Sequence, residues 1–265
     1  MVTLDDMRAL LFVPANRPER FAKAAASRPD AVILDLEDAV ASADKDTARG
    51  TLECGFTDLP VLVRINPLGT PWHDADLRAV IALRPAAVML PKAENPVQVA
   101  AIAKALGDIA LLGLVETARG MADARTIAAL SGVRRLVFGS VDYCADLGMS
   151  HERALLLPAR SELVFASRLA GIAAPIDGVT TRLDDPALPI DDAAHARALG
   201  MTGKLCIHPK QVESVRTAFA PDEKEIAWAN RVLAAGDGAV AVDGEMVDAP
   251  VRAKALSILA AARQQ

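Results

Sequence analysis

Eight short apolar runs alternate with helical patterns along this chain. The runs are rich in Val, Ile and Leu and almost continuously apolar, as expected of parallel strands that helices cover on both faces. They comprise residues 10–14, 31–38, 61–66, 87–92, 110–116, 134–142, 175–179 and 204–209. Their spacing averages roughly 25 residues, which suits a repeated unit of one strand and one helix. The pattern predicts an α/β fold, a closed (β/α)8 TIM barrel, rather than an open doubly wound sheet.

The pattern changes after the eighth run. Residues 211–236 indicate two helices broken at Pro221, residues 239–248 indicate a short extended piece, and Pro250 lies near the start of a last helix. We therefore predict a catalytic barrel domain at 1–215 and a C-terminal helical extension at 216–265. We expect the extension to pack on the barrel or on a neighbouring subunit. A long loop is predicted at 180–192, and loops of that length are often functional.

Charged residues stand at the ends of five of the apolar runs. They are Asp35, Glu37, Asp38, Arg64, Lys92, Glu94, Glu116 and Asp142. A charge in a buried strand is costly unless it is paired, binds a metal or faces a cavity. Barrels of this class build their active sites at the C-terminal ends of the strands. The pattern therefore predicts an active site at that end of the barrel.

Glu116 and Asp142 are predicted at the ends of adjacent strands, the fifth and the sixth. Two carboxylates brought together repel each other unless a cation lies between them. Hard oxygen ligands suit Mg²⁺, which proteins commonly hold through one or two carboxylates together with the substrate. The alternative is that Glu116 caps a helix near Ala118 and that Asp142 caps a turn.

Arg64 follows an apolar run and could serve either of two purposes. Its guanidinium could grip a substrate carboxylate or a developing enolate oxygen, or it could form a structural ion pair. If strand alternation continues, Asp35 and Glu37 share one side and Asp38 faces the other. We assign Glu37 a supporting catalytic role, either orienting Arg64 or accepting a proton from metal-bound water.

Asn16, Arg17 and Lys23 follow the first strand. They could form an anion clamp for phosphates, or they could be the solvated start of a helix. The chain contains neither of the glycine-rich phosphate-binding motifs, so a nucleotide would have to be held by other means.

Composition narrows the class of protein. The chain has 265 residues, of which 52% are hydrophobic but only 3% aromatic, and a net charge of −5. A net negative charge is not the basic surface expected of a nucleic-acid-binding protein. The chain also has no apolar stretch long enough for a membrane span and no secretory signal. The three cysteines, widely spaced and odd in number, suggest a reduced cytoplasmic compartment without a disulfide framework.

Several segments together resemble the citrate lyase β-subunit-like family, within the barrel superfamily that binds pyruvate and phosphoenolpyruvate. The matching segments are LFVPANRPERF, VILDLEDAV, VRINP, LPKAE, GLVETARG, FGSVDYCADLG, GKLCIHPKQ and DGEMVDAP. They occur in order from residue 11 to residue 250. The family comprises Mg²⁺-dependent enzymes that act on acyl thioesters and are often homotrimeric.

The resemblance implies a role for each candidate residue. Glu116 and Asp142 would be the Mg²⁺ ligands, and Arg64 would contact the keto-acid part and the thioester oxygen. The segment that contains Asn16, Arg17 and Lys23 would receive coenzyme A. An aspartate in a G-x-M-x-D-x-P tail reaches a neighbouring subunit's active site in related lyases, and here that pattern is met by Gly244, Met246, Asp248 and Pro250. Asp248 is therefore the candidate acid or base.

These observations favour a Mg²⁺-dependent lyase that cleaves a β-hydroxyacyl-coenzyme A of the malyl, citramalyl or citryl type. The expected partner is this small-molecule substrate, and the expected assembly is a homo-oligomer, a trimer by resemblance. Three alternatives stay open: a thioesterase or synthase on the same substrates, a metal-dependent aldolase on free acids, and a non-catalytic subunit of a larger lyase complex.

Overall fold

Eight parallel strands close into a barrel in the order of the sequence. The computed structural model describes residues 3–236, 240–242 and 244–262. The strands are β1 Ala9–Pro14, β2 Ala31–Asp35, β3 Val61–Arg64, β4 Ala87–Leu90, β5 Ala110–Val115, β6 Val133–Phe138, β7 Ile176–Asp177 and β8 Gly203–Cys206. Each strand pairs with the next, and β1 pairs with β8 to close the ring. The predicted TIM barrel is therefore confirmed.

Helices connect the strands and surround the barrel. They are α1 Phe21–Ala26, α2 Lys45–Gly50, α3 His73–Leu83, α4 Pro96–Leu106, α5 Ala118–Ala122, α6 Ala124–Ala128, α7 Ser140–Leu147, α8 Leu157–Ala170, α9 Ala187–Ala198 and α10 Lys210–Phe219. Short 3₁₀ turns at Pro18–Arg20 and Ser42–Asp44 precede α1 and α2. No helix in the described ranges has both the length and the apolar character of a membrane span.

Strand alternation divides the apolar side chains into two layers. One layer contains strand residues such as Leu10, Ile33 and Leu62, with no helical residue among its buried members, so it fills the barrel interior. The other combines strand residues such as Leu11 with helical residues such as Val80, so it lies between strands and helices. This separation is the packing expected of a barrel with a filled interior.

Arg135 occupies the N-terminal end of the barrel interior. Its side chain is fully buried, and its nitrogens donate to the carbonyls of Leu4, Met7 and Ala174 and to the Thr202 hydroxyl. Burial lowers the pKa of Arg135 to about 10, because the charge has left water. Four neutral acceptors satisfy the guanidinium and close this end.

Seven of the eight predicted strands end earlier than their apolar runs suggest, and two of them show why. The run at 31–38 stops being a strand after Asp35, because the Asp35 carboxylate accepts hydrogen bonds from the amides of Glu37 and Ala39 and turns the chain. The run at 134–142 ends at Phe138, and the next helix begins at Ser140. Asp142 therefore lies in the first turn of α7, and its predicted position at the strand end is wrong.

The predicted loop at 180–192 is also partly wrong. Helix α9 begins at Ala187, where the Asp185 carboxylate accepts a hydrogen bond from the Ala187 amide. The connection from β7 to α9 is therefore shorter than predicted.

The C-terminal extension contains α11 Glu223–Ala234, a hairpin of β9 Val240–Val242 and β10 Glu245–Val247, and α12 Ala249–Ala262. The predicted break near Pro221, the extended piece and the last helix are confirmed, although residues 239 and 243 of that piece lie outside the described residues. A small apolar cluster, which includes Val232, Val247 and Ala255, packs these elements together.

Polar contacts, among them those of Arg8 and Arg197, join the extension to the barrel. Arg8 donates to the carbonyl of Ala261 at 2.6 Å, and Arg197 forms two bonds of 2.9 Å with the Glu225 carboxylate. Helix α10 spans the predicted boundary between residues 215 and 216, and the division into two domains stays a prediction.

A buried charge network joins the barrel wall to α8. Asp177 lies 2.8 Å from Arg160 Nε and 3.0 Å from Lys204 Nζ, and all three side chains are at least nine-tenths buried. Burial alone would raise the pKa of Asp177, but Lys204 and Arg160 lower it below its ordinary value. The carboxylate is therefore the charge that both cations depend on.

We expect Asp177→Asn to lower the free energy of unfolding by about 3–5 kcal/mol, because two buried cations would lose their anionic partner. Urea denaturation measures this change. The matched control is Asp184→Asn, whose carboxylate pairs with Arg182 at an exposed site, and we expect a much smaller change because exposed ion pairs contribute little to stability. Equal unfolding of the two variants would contradict the assignment.

Candidate active site

A cavity of about 430 Å³ opens at the C-terminal ends of the strands. Its polar lining comes from several of the predicted strand ends, and its apolar lining from the barrel wall. The polar members include Asp35, Asp38, Arg64, Glu116, Ser140 and Asp142, and the apolar members include Phe12, Leu114, Phe138, Val179, Leu205 and Ile207. The structure thus brings Arg64, Glu116 and Asp142 to one cavity, as predicted from their positions in the sequence.

Arg64 is held by an ion pair with Asp35. Residues Asp35 and Arg64 are register partners on β2 and β3, so their side chains leave the barrel wall side by side. Arg64 Nε and Nη2 each donate to one oxygen of Asp35 at 2.7 Å. The guanidinium also lies over the Phe12 ring, 4.7 Å from its centre. This bidentate pair fixes the plane of the arginine.

The third nitrogen of Arg64 faces two more carboxylates. Nη1 lies 2.8 Å from Glu37 Oε2 and 3.6 Å from Asp38 Oδ2. The prediction that Asp38 faces away from Glu37 is therefore wrong, because strand alternation ends at Asp35. Burial would lower the pKa of Arg64, but the charges of Asp35, Glu37 and Asp38 raise it above its ordinary value. The arginine stays charged throughout the physiological range.

Glu37 is a buried carboxylate between two cations. Burial raises its pKa to about 7, although Arg64 and Lys92 act in the opposite direction. Lys92 Nζ lies 3.5 Å from Glu37 Oε1. Lys45 fixes the backbone at Glu37, because its Nζ donates hydrogen bonds of 2.7 Å to the carbonyls of Leu36 and Glu37.

Glu116 directly follows β5 and is almost completely buried. Its Oε1 accepts a hydrogen bond of 2.9 Å from the Lys92 amide. Burial raises the pKa of Glu116 to about 8, and the charges of Glu37 and Asp142 add to that rise. The helix-cap alternative does not hold for Glu116, since the Thr117 side chain caps α5. A cation beside this carboxylate would favour its charged form.

Asp142 lies half-buried in the first turn of α7, at the rim of the same cavity. A carboxylate at a helix N-terminus is favoured by the partial positive charge there. The described residues contain no cluster of three or more acidic, histidine or cysteine side chains arranged to hold a metal. A cation held by one or two carboxylates usually completes its coordination with water and substrate.

The predicted coenzyme A segment lies beside the cavity, in the turn and helix that follow β1. Asn16 is half-buried, and its Nδ2 lies 3.4 Å from Asp44 Oδ2. Arg17 is exposed and pairs with Glu19, while Lys23 is exposed on α1. These side chains do not belong to the described lining of the cavity, so their assignment stays a prediction.

Asp248 lies at the N-terminal end of α12. Its carboxylate is exposed and accepts a hydrogen bond of 3.3 Å from the Val251 amide. Of the described residues that line the 430 Å³ cavity, none comes from the C-terminal extension. The role of Asp248 in an active site stays a prediction.

Lys92 contacts both Glu37 and Glu116, and sequence reasoning assigned it no role. Its position at the end of an apolar run marked it as a strand-end charge. Its contacts with Glu37 and Glu116 could not be predicted, because they depend on tertiary structure. Its side chain also lines a second cavity, of about 340 Å³, together with Glu94, Gln98 and Arg119.

Comparison with known proteins agrees with this geometry. Residues 8–209 match the model of the HpcH/HpaI aldolase/citrate lyase family. The chain is 38% identical to a citrate lyase subunit beta-like protein of Deinococcus radiodurans, with 96% of each chain covered. It is 32% identical to a (3S)-malyl-CoA thioesterase of Cereibacter sphaeroides, over 91% of this chain and 89% of that one.

A solved structure extends the similarity to three dimensions. The protein CitE of Mycobacterium tuberculosis, in complex with magnesium, acetoacetate and coenzyme A, superposes with a TM-score of 0.87 at 39% identity. The match covers 98% of this chain and all of that one. The resemblance suggested by the sequence motifs is confirmed, and this chain belongs to the HpcH/HpaI aldolase/citrate lyase family.

Proposed function

We propose that this chain is a Mg²⁺-dependent carbon–carbon lyase acting on a β-hydroxyacyl-coenzyme A of the malyl, citramalyl or citryl type. The products would be a keto acid and an acyl-coenzyme A. The observation that carries the proposal is the meeting of Glu116, Asp142 and Arg64 at one cavity on the C-terminal face of the barrel. Membership of a family of aldolases and citrate lyases supports the reaction class.

The carboxylates fit Mg²⁺ as a resident metal. Glu116 is buried, its pKa is raised to about 8, and the nearby charges of Glu37 and Asp142 contribute to that rise. A divalent cation would offset this repulsion, and Mg²⁺ usually combines one or two carboxylates with waters and substrate. When bound, Mg²⁺ would supply Lewis-acid polarisation of a substrate oxygen. The CitE complex with magnesium supports the choice of metal.

Cleavage between the α and β carbons requires three events around the substrate. A base removes the β-hydroxyl proton, and a carbonyl forms as the carbon–carbon bond breaks. The electron pair of that bond moves into the acyl fragment as an enolate, which an acid then protonates at the α carbon. Each event needs a group of this chain near the reacting atoms.

Arg64 would stabilise the negative charge on the thioester oxygen as the enolate develops. Asp35 occupies Nε and Nη2, so the edge that carries Nη1 is the part left for a substrate. Glu37 lies 2.8 Å from that nitrogen and would orient it. An anionic substrate oxygen could then replace the Glu37 carboxylate as the partner of Nη1.

Coenzyme A would enter beside β1. Arg17 and Lys23 are exposed cations on the turn and helix after that strand, and Asn16 has a buried Oδ1 that lacks a hydrogen-bond partner within the described residues. Phosphate groups suit such exposed cations. The coenzyme A bound to the similar CitE protein supports a thioester substrate for this chain.

Asp248 would act as acid or base in the active site of a neighbouring subunit, in a homotrimer. Asp248 belongs to the C-terminal extension, and the described residues of that extension do not line the cavity of the same chain. Its carboxylate is exposed, and the nearby Met246 side chain is 72% exposed, so this edge of the extension is open to a partner.

A thioesterase is the second candidate. The observation that favours it is the 32% identity to a (3S)-malyl-CoA thioesterase over nine-tenths of the chain. Such an enzyme could use the same carboxylates and arginine to polarise the thioester carbonyl for attack by water.

A panel of malyl-, citramalyl- and citryl-coenzyme A, with products identified by mass spectrometry, tests the proposal. We expect keto acid and acyl-coenzyme A in equal amounts with Mg²⁺, and loss of turnover with EDTA or in Glu116→Gln and Asp142→Asn. Glu94→Gln, at the neighbouring cavity, is the matched control and should keep its activity. Free coenzyme A with intact hydroxy acid would instead identify a thioesterase. Cleavage of free acids alone, or no turnover by the purified chain, would contradict the lyase assignment.

Gly139 allows Glu116 to occupy its place, and Gly139→Ala tests this. An added Cβ would lie 2.3 Å from Glu116 Oε2 and 2.4 Å from its Cβ, so the carboxylate would have to move. We expect Mn²⁺ affinity and turnover to fall about 10–100-fold, as for other losses of ligand support. Gly50→Ala is the control, since no atom lies within 4 Å of its added Cβ. Unchanged Mn²⁺ binding in Gly139→Ala would count against Glu116 as a ligand.

The assignment of Asp248 in trans predicts complementation between inactive chains. Asp248→Asn and Glu116→Gln should each be inactive alone, while verified subunit exchange between them should restore part of the activity. Hybrid oligomers would contain sites with an intact Glu116 from one chain and an intact Asp248 from another. An active monomer, or no recovery after exchange, would contradict the assignment.

A further inference from the structure

Lys92 connects two carboxylates that come from different parts of the barrel. Its amide donates to Glu116 Oε1 at 2.9 Å, and its Nζ lies 3.5 Å from Glu37 Oε1. Glu37 follows β2 and Glu116 follows β5. A single residue in the loop after β4, Lys92, therefore contacts both carboxylates. The 340 Å³ cavity lies on the other side of the same lysine.

The backbone of Lys92 adopts a left-handed conformation, with φ of 48°. A lysine gains nothing from that conformation by itself, since its Cβ crowds the backbone. Such strain persists where surrounding contacts over-determine it, and it concentrates at functional sites. Here the amide of the next residue, Ala93, is fixed by a 3.0 Å hydrogen bond to the Leu114 carbonyl. The left-handed turn directs the Lys92 amide at Glu116.

The side chain of Lys92 forms an ion pair with Glu37. Glu37 is 5% exposed, whereas Lys92 is 39% exposed, so the lysine reaches from the cavity rim to a buried carboxylate. The ion pair ties the side chain to β2 while the amide is tied to β5. Relaxation of the backbone to an ordinary φ would break one of these two contacts.

We infer that Lys92 is a positioning residue for the metal site, and that its ion pair with Glu37 keeps its amide aimed at Glu116. This inference rests on the proposed function, in which Glu116 is a metal ligand. Through this hydrogen bond, the Lys92 amide orients the Glu116 carboxylate. It acts through Glu116 rather than on the substrate.

Two physical effects of Lys92 on a bound cation have opposite signs. Its positive charge repels a cation, so charge alone predicts tighter metal binding when the lysine is neutralised. Its amide orients the ligand, so positioning predicts weaker binding when that orientation is lost. The direction of the change therefore separates the two.

Mn²⁺ titration of the full chain, by calorimetry or electron paramagnetic resonance, provides this measurement without relying on turnover. We expect Lys92→Met to bind Mn²⁺ about 10–100-fold more weakly than the wild type. Lys92→Gly adopts a left-handed φ without a penalty and keeps the amide, so its affinity should stay within about fivefold. Arg119→Met is the matched control, because it removes a cation that lines the same 340 Å³ cavity and lies 4.0 Å from Glu94.

Each outcome bears on a different statement. Equal or tighter Mn²⁺ binding by folded Lys92→Met overturns the inference, as does a loss in Lys92→Gly as large as the one expected for Lys92→Met. Lys92→Gly carries the test if thermal melting shows that Lys92→Met does not fold. A wild-type chain that binds no Mn²⁺ overturns the proposed function itself. Weak binding by Lys92→Met, with near-wild-type binding by Lys92→Gly and Arg119→Met, supports the inference.

Discussion

The ion pair between Arg64 and Asp35 organises the C-terminal end of this barrel. Asp35 uses its two oxygens both to fix the arginine and to accept the amides that turn the chain out of β2. That turn brings Glu37 to the free side of Arg64, where a continued strand would have carried the chain past it. Both the orientation of the arginine and the position of the neighbouring acid follow from one carboxylate.

The two ends of the barrel handle buried charge differently. At the N-terminal end, the buried Arg135 donates to four neutral oxygens. At the C-terminal end, Glu37 and Glu116 have raised pKa values of about 7 and about 8. The first arrangement needs no further partner. A positive ligand would relieve the second, and the proposed chemistry is placed at that end for this reason.

The barrel and its strands could be predicted because buried parallel strands appear as short continuous apolar runs, which here alternate regularly with helical patterns. The grouping of Arg64, Glu116 and Asp142 could also be predicted, since successive strand ends meet at one face. The position of Asp142 in a helix could not, because Gly139 and Val141 prolong the apolar run after β6 has ended at Phe138.

Other features depended on tertiary contacts that no local pattern carries. The approach of Asp38 to Arg64 follows from the turn made by Asp35, and the left-handed backbone of Lys92 has no marker such as glycine. The network of Arg160, Asp177 and Lys204 joins residues far apart in sequence, and its members gave no sign of pairing. The roles of Asn16, Arg17, Lys23 and Asp248 rest on resemblance and stay predictions.

The plug formed by Arg135 has a consequence for traffic through the molecule. Because the interior is filled with side chains and its far end is closed, whatever binds in the 430 Å³ cavity has no route through the barrel to the N-terminal face. A reaction there that splits one molecule into two must release both fragments at the C-terminal face. The fragment nearer the opening would have to leave first, and while it stayed bound it would block release of the other.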